Sequence, residues 1–158
     1  MAAKRSFFML TASRDHLTRG VELGFIQQRH AKRIEKIKQG DCVVLYAGKE
    51  KLGDKKPYQK ILGWALAVDD EYETLDPKAM VQSIGAEAPS CSPTDLFYRK
   101  KMEMHAFAEP LDIRPLLQSL SFVKNPSSWG FYFMSGFREI PKGDFELIRN
   151  SALPPSAS

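Results

Sequence analysis

Cysteine is scarce in this chain, two in 158 residues, and so is histidine, with three. Cys42 lies in an apolar run and reads as a small core residue, while Cys91 lies in a loop. One pair without motif spacing implies no disulfide framework. His16, His30 and His105, with two distant cysteines, match no metal-ligand spacing, so neither a metal site nor a cofactor is expected. Phosphate-binding and dinucleotide glycine motifs are missing, as are paired catalytic carboxylates and a nucleophile elbow. No apolar stretch approaches the ~20 residues of a membrane span. The apolar run at Phe7–Leu10 is too short for a signal peptide and is soon followed by Arg14 and Asp15. A soluble, intracellular protein, cytoplasmic or nuclear, is expected, with no membrane partner. The net charge of +4 favours anionic partners without identifying one. No internal repeat is present, and nothing fixes the oligomeric state.

What is there fits one globular domain over residues 1–150, followed by a disordered tail, Ser151–Ser158 (SALPPSAS). Hydrophobic residues make up 43% and charged residues 27%, and a chain of this length buries about two thirds of its unfolded surface without a staple.

Ser6–Ala12 reads as a buried strand. Ser13 is a candidate N-cap for a helix from Arg14 to Glu22, with Leu17 and Val21 on its inner face and Gly24 ending it. Phe25–His30 (FIQQRH) has no clean period and reads as irregular backbone. Ala31–Lys38 is a short helix with Ile34 and Ile37 inward, and Cys42–Ala47 a strand covered on both faces. Tyr58–Val68 alternates, placing Leu62, Trp64, Leu66 and Val68 on one face and Ile61, Gly63, Ala65 and Ala67 on the other. Thr74–Asp95 is loop. Tyr98–Glu109 alternates again, Ile113–Leu120 is a short helix, Phe131–Phe137 an aromatic strand and Lys142–Arg149 a final helix. The fold class is α+β, a small, partly closed mixed β-barrel with short flanking helices.

Ser13 and His16, three residues apart, raise nucleophilic catalysis. No orienting acid or oxyanion nest accompanies them, so ligand hydrogen bonding at the helix start is the preferred reading. Gln27 and Gln28 carry the donor and acceptor pairing that a base edge requires. Tyr46 and Trp129 read as the aromatics most within reach of a base. Arg29, Lys32, Arg33, Lys36 and Lys38, with Lys49, Lys51, Lys55 and Lys56, are either a solvated face or phosphate contacts flanking one strand. A small enzyme working from Ser13 and His16, or a protein-interaction module using the aromatic C-terminal segment, are the competing classes.

The run SRDHLTRGVELGFIQQRHAK (Ser13–Lys32), Gly40-Asp41, Val44-Leu45-Tyr46, IRPLLQSLSFVKNPSSWGF (Ile113–Phe131) and FREIP up to Pro141 resemble the EVE domain over about Phe7–Ile148. EVE domains belong to the PUA-like superfamily with the YTH and ASCH domains. The resemblance implies a PUA-like barrel and a non-catalytic reader of DNA or RNA. That reader would accept a modified base, such as a methylated or oxidised cytosine or a methyladenine. Its pocket would be formed by Ser13, His16, Phe25, Gln27, His30, Tyr46 and Trp129, with Arg29, Lys32, Arg33, Lys36 and Arg138 toward phosphates. Two departures stand out. Ala47-Gly48 follows the tyrosine where the family often has Ser-Pro, and Met134 stands where an arginine is common, a charge that Arg138 would supply.

Overall fold

In the computed structural model, residues 5–50, 57–79, 96–133 and 136–152 are described. Among these residues seven strands form one curled, mixed sheet in the order β2-β6-β4-β3-β1-β7, with β5 against the start of β6. The strands are β1 (Phe7–Ser13), β2 (Phe25–Gln28), β3 (Cys42–Lys49), β4 (Pro57–Ala67), β5 (Glu73–Leu75), β6 (Phe97–Asp112) and β7 (Phe137–Glu139). Helices α1 (Arg14–Leu23) and α2 (Ala31–Lys36) fill the crossover between β1 and β3, which pair in parallel. A parallel pair needs such a crossover, whereas antiparallel neighbours close with short turns. The C-terminal helix, α3, spans Lys142–Ser151 and takes in Ser151, the first residue expected to be tail. Residues 153–158, and residues 80–95 of the loop expected over Thr74–Asp95, lie outside the described residues.

The sheet divides the core into two layers. Phe7, Met9, Val44, Tyr46 and Ile61 point into one, closed by Leu117, Leu120, Phe122, Phe133 and the α3 residues Phe145 and Ile148. Phe8, Leu10, Val43, Leu45 and Ala65 point into the other, closed by Leu17 of α1, Ile26 of β2 and Ile34 of α2. Alternation along β1 and β3 therefore feeds both layers, as expected for a strand covered on both sides.

Buried carboxylates tie the connections down. Asp144, 5% exposed, accepts from the Ser121 N–H (2.9 Å), the Ser121 hydroxyl (2.9 Å) and the Phe122 N–H (3.0 Å). Asp41 accepts from the Ser6 and Lys38 N–H groups, each at 2.9 Å. Lys100 is fully buried, and its ammonium donates to the Asp69 and Glu71 carbonyls, at 2.8 and 3.0 Å.

Four expectations are corrected. Phe25–Gln28 is a strand, paired antiparallel with β6. Glu73–Leu75 is also a strand against β6. Of the helix expected over Ile113–Leu120, one 3-10 turn forms at Arg114–Leu116. The aromatic strand expected over Phe131–Phe137 instead begins as 3-10 backbone, which spans Pro126–Phe133 with a kink at Ser128, and among the described residues that follow Phe137–Glu139 is extended. Its rings cap a core layer, Phe133 meeting Tyr46, Phe122 and Trp129, which strand alternation would not allow from one side.

The faces of β4 also differ from the simple alternation. Leu45 pairs with Gly63 and Tyr46 with Ile61, so Leu62 is the extra residue of a β-bulge. Ile61 thus shares a layer with Trp64 and Leu66, while Leu62 lies with Ala65 and Ala67. Only glycine fits at the step: a Cβ on Gly63 would meet the His105 carbonyl oxygen and lie 2.7 Å from Ala106 Cα.

Candidate functional site

The C-terminal end of β1 delivers Ser13 in extended conformation (φ −74, ψ 156), and its Oγ accepts the backbone N–H of His16 at 3.2 Å, capping α1. Gly24, at φ +80, ends the helix with its N–H on the Gly20 carbonyl. Gly20 lets β2 double back tightly, because a Cβ there would fall 2.5 Å from the Phe25 carbonyl oxygen. β2 therefore runs under α1 and brings Phe25 and Gln27 beside His16.

The His16 ring lies beside the Gln27 backbone. Its burial pushes the imidazole pKa below the ordinary value, and the nearby Arg99 charge acts in the same direction. His16 is therefore neutral near pH 7. Gln27 is 4% exposed, and its Oε1 accepts Arg99 Nη2 at 3.0 Å. The same guanidinium lies over the Phe25 ring, 3.8 Å from its centroid. Arg99 is the cross-strand partner of Gln27 on β6. A cavity of about 10 Å³ beside His16, Phe25 and Gln27 is floored by Leu10, Leu17 and Leu45, room for about one water molecule and no more.

Ser13, His16, Phe25 and Gln27 are thus brought together. Gln28 accepts Arg33 Nη1 at 3.1 Å, and Arg33 also lies against Gly136, where a Cβ would come 2.9 Å from Nη1. His30 is exposed at the start of α2 and makes no side-chain capping bond. Lys32 and Lys36 are exposed on α2, and exposed Arg29 sits 5.5 Å from the Phe97 ring.

Three residues lie in the other layer. Tyr46, expected within reach of a ligand, is 2% exposed, its ring 4.6 Å from that of Phe133. Burial raises its phenol pKa above the ordinary value. Its even register on β3 turns it into the C-terminal core layer, so it offers no open plane for stacking. Trp129 is half-buried, edge-on to Phe133 at 5.5 Å. Arg138 lies over Phe122 (4.7 Å) and donates to the Tyr132 carbonyl at 3.4 Å. Lys51, Lys55, Lys56 and Met134 lie outside the described residues.

Arg99 is the residue that sequence reasoning missed. It sits in the run YRKK, and only the pairing of β2 with β6 puts it on Phe25 and Gln27. Alternation from the buried Met102 would have marked its face, but not its partners.

The EVE domain family model matches residues 6–151. The chain belongs to the EVE domain family. Among relatives of this EVE domain, a UPF0310 protein of Mycolicibacterium vanbaalenii is 32% identical over 149 residues, covering 93% of this chain and 92% of its own. A UPF0310 protein of Bacillus licheniformis is 33% identical over 138 residues, covering 86% and 84%. Among solved structures, the N-terminal domain of Staphylothermus marinus McrB superposes with a TM-score of 0.62 at 12% identity, covering 95% of this chain and 96% of that one. ASCH from Zymomonas mobilis superposes at 0.59 and 11%, covering 95% and 98%. The curled sheet of this EVE domain is the PUA-like barrel.

Chemically, the site offers an aromatic plane, a carboxamide, a neutral imidazole and a helix-start hydroxyl. Ser13 Oγ accepts the His16 backbone N–H, and among the described residues no hydrogen bond joins the hydroxyl to the imidazole. Among the described residues, no three His, Cys, Asp or Glu side chains gather as a metal ion would require, and no helix is long and apolar enough to cross a membrane.

Proposed function

We propose that this EVE domain is a nucleic-acid-binding module that receives one modified base beside Phe25 and Gln27 and performs no chemistry on it. The observation that supports this is the Arg99 stack. A flat group bearing N–H donors rests on the Phe25 ring and bonds the Gln27 carboxamide. A cytosine or adenine has the same attributes: a plane to stack and donors and acceptors at its edge. A base would take the place of the guanidinium, because the cavity beside it holds about one water. The neutral His16, Ser13 and His30 would complete the contacts to its edge.

Arg29, Lys32, Arg33 and Lys36 on the α2 side, and Arg138 on β7, would hold phosphates, positioning the polymer without reading its sequence. Tyr46 and Trp129, packed against Phe133 in the other layer, would not act as stacking planes. A methylated or oxidised cytosine, or a methyladenine, is the modification proposed, on DNA or RNA.

The test is fluorescence-anisotropy binding to DNA and RNA oligonucleotides, each unmodified or carrying methylcytosine, hydroxymethylcytosine or methyladenine, at two salt concentrations. One modified strand should bind more tightly, and Phe25→Ala and Gln27→Ala should each remove that preference while leaving salt-sensitive background binding. Equal binding to every strand would sink base reading. No binding to any strand would sink the nucleic-acid reading itself.

A further inference from the structure

At the end of the sheet where Ser13 sits, β3, β4 and β6 form a second polar cluster outside the site above. Thr11 pairs with Tyr46, Tyr46 with Ile61 and Ile61 with Leu111, so one row runs from β1 to the end of β6. One residue before Lys60, Gln59 adopts φ +59, and among the described residues it is the one non-glycine with positive φ. A long side chain in that region is strained, and such strain persists where the surroundings over-determine it.

The surroundings here are the chain around Arg114. The Gln59 carbonyl accepts the Ile113 N–H at 3.4 Å, and Gln59 Oε1 accepts Arg114 Nη2 at 2.6 Å. The Arg114 N–H is itself held by Asp112 Oδ1 at 3.0 Å. Arg114 is exposed, so the backbone cost at Gln59 serves to orient a side chain that faces water. The bond to Gln59 uses one of the five guanidinium N–H donors. The remaining fork has the geometry that meets two oxygens of a phosphate.

We infer that Arg114, oriented by Gln59, is a phosphate contact for the strand flanking the bound base, an inference that rests on the nucleic-acid reading above. The ligand group is a backbone phosphodiester. The cluster is placed for it, since the row through Tyr46 leads to Thr11, two residues from Ser13, which sets Arg114 at the same end of the sheet as the start of α1. Arg114 is the contact and Gln59 the positioning residue. The cluster does not belong to the α2 cations, which lie across the other core layer.

The experiment is the salt dependence of oligonucleotide binding by wild type, Arg114→Ala, Arg114→Lys and Gln59→Gly, with thermal melts run alongside. Arg114→Ala should weaken binding to modified and unmodified strands alike and lower the slope of log affinity against log salt by about 0.7–0.9, the loss of one phosphate contact. Arg114→Lys should retain most of the slope. Gln59→Gly, which accepts positive φ without strain, should melt no lower than wild type and yet bind more weakly. Wild-type slope and affinity in Arg114→Ala would overturn the inference while leaving the nucleic-acid reading standing. Unchanged binding in Gln59→Gly would remove the positioning role. Failure of the wild type to bind any oligonucleotide overturns both.

Discussion

Acidification should destabilise this EVE domain through His16, and replacing that one residue should isolate the effect. In the folded protein burial lowers the His16 pKa, whereas the unfolded chain titrates near the ordinary histidine value of 6.5. As pH falls below that value, the unfolded state takes up a proton that the native imidazole refuses, so stability is lost with acid. The loss ends once pH passes the folded pKa, because both states then bind the proton. One such group limits the slope to about 1.4 kcal/mol per pH unit. His16→Gln keeps a donor within reach of the Gln27 backbone and removes the titration. The assay is urea unfolding of both proteins from about pH 8 to about pH 5, read as the difference between their stabilities at each pH. The difference should be constant above pH 7 and should move against the wild type below about 6.5. A flat difference curve, or one that favours the wild type in acid, refutes the argument that His16 is held neutral by burial.

Asp144→Ala leaves three donors around Ser121 and Phe122 without their acceptor, for a loss of about 3 kcal/mol and a melting temperature lower by roughly 6–12 °C; a drop under ~2 °C would contradict it. Gly63→Ala forces a Cβ to within 2.7 Å of Ala106 Cα, and denaturant unfolding should show about 2 kcal/mol of destabilisation, whereas a neutral result would mean that the bulge yields freely. Arg99→Ala empties the place proposed for the base. It should raise, by roughly 3–30-fold, the affinity ratio between an oligonucleotide bearing the preferred base and the same strand with an abasic position. A lower ratio would show that Arg99 assists the base instead of competing with it.

The parts of this fold legible in the sequence are those whose signals are local. Ser13 capping an amphipathic turn, Gly24 ending it, and the continuous apolar run at Cys42 each specify their structure within a few residues. β2 is different. Four residues, FIQQ, carry no periodicity long enough to read, and their strand character comes from hydrogen bonding to β6 more than seventy residues away (Gln27 with Arg99). β5 owes its extension to the same distant partner. The bulge in β4 was hidden because alternation counted residue by residue passes through Gly63 without a break, while the register on β3 shows the extra residue. The proximity of Ser13, His16, Phe25 and Gln27 was legible, because they lie within fifteen consecutive residues and meet through one tight turn. The burial of Tyr46 was not, because the end of a buried strand reads the same whether its last side chain emerges or turns under a later segment.

That failure separates two kinds of aromatic in this protein. Tyr46 and Phe122 each meet Phe133 in the layer closed by α3, so shortening any of the three leaves a cavity and acts on stability first. Phe25 is half-buried and carries Arg99 on its face. A cation over an aromatic ring contributes about 0.5–2 kcal/mol, small enough for a stacked base of about 1–3 kcal/mol to replace. A planar ligand is therefore better able to exchange with the guanidinium on Phe25 than to enter the packed rings around Tyr46.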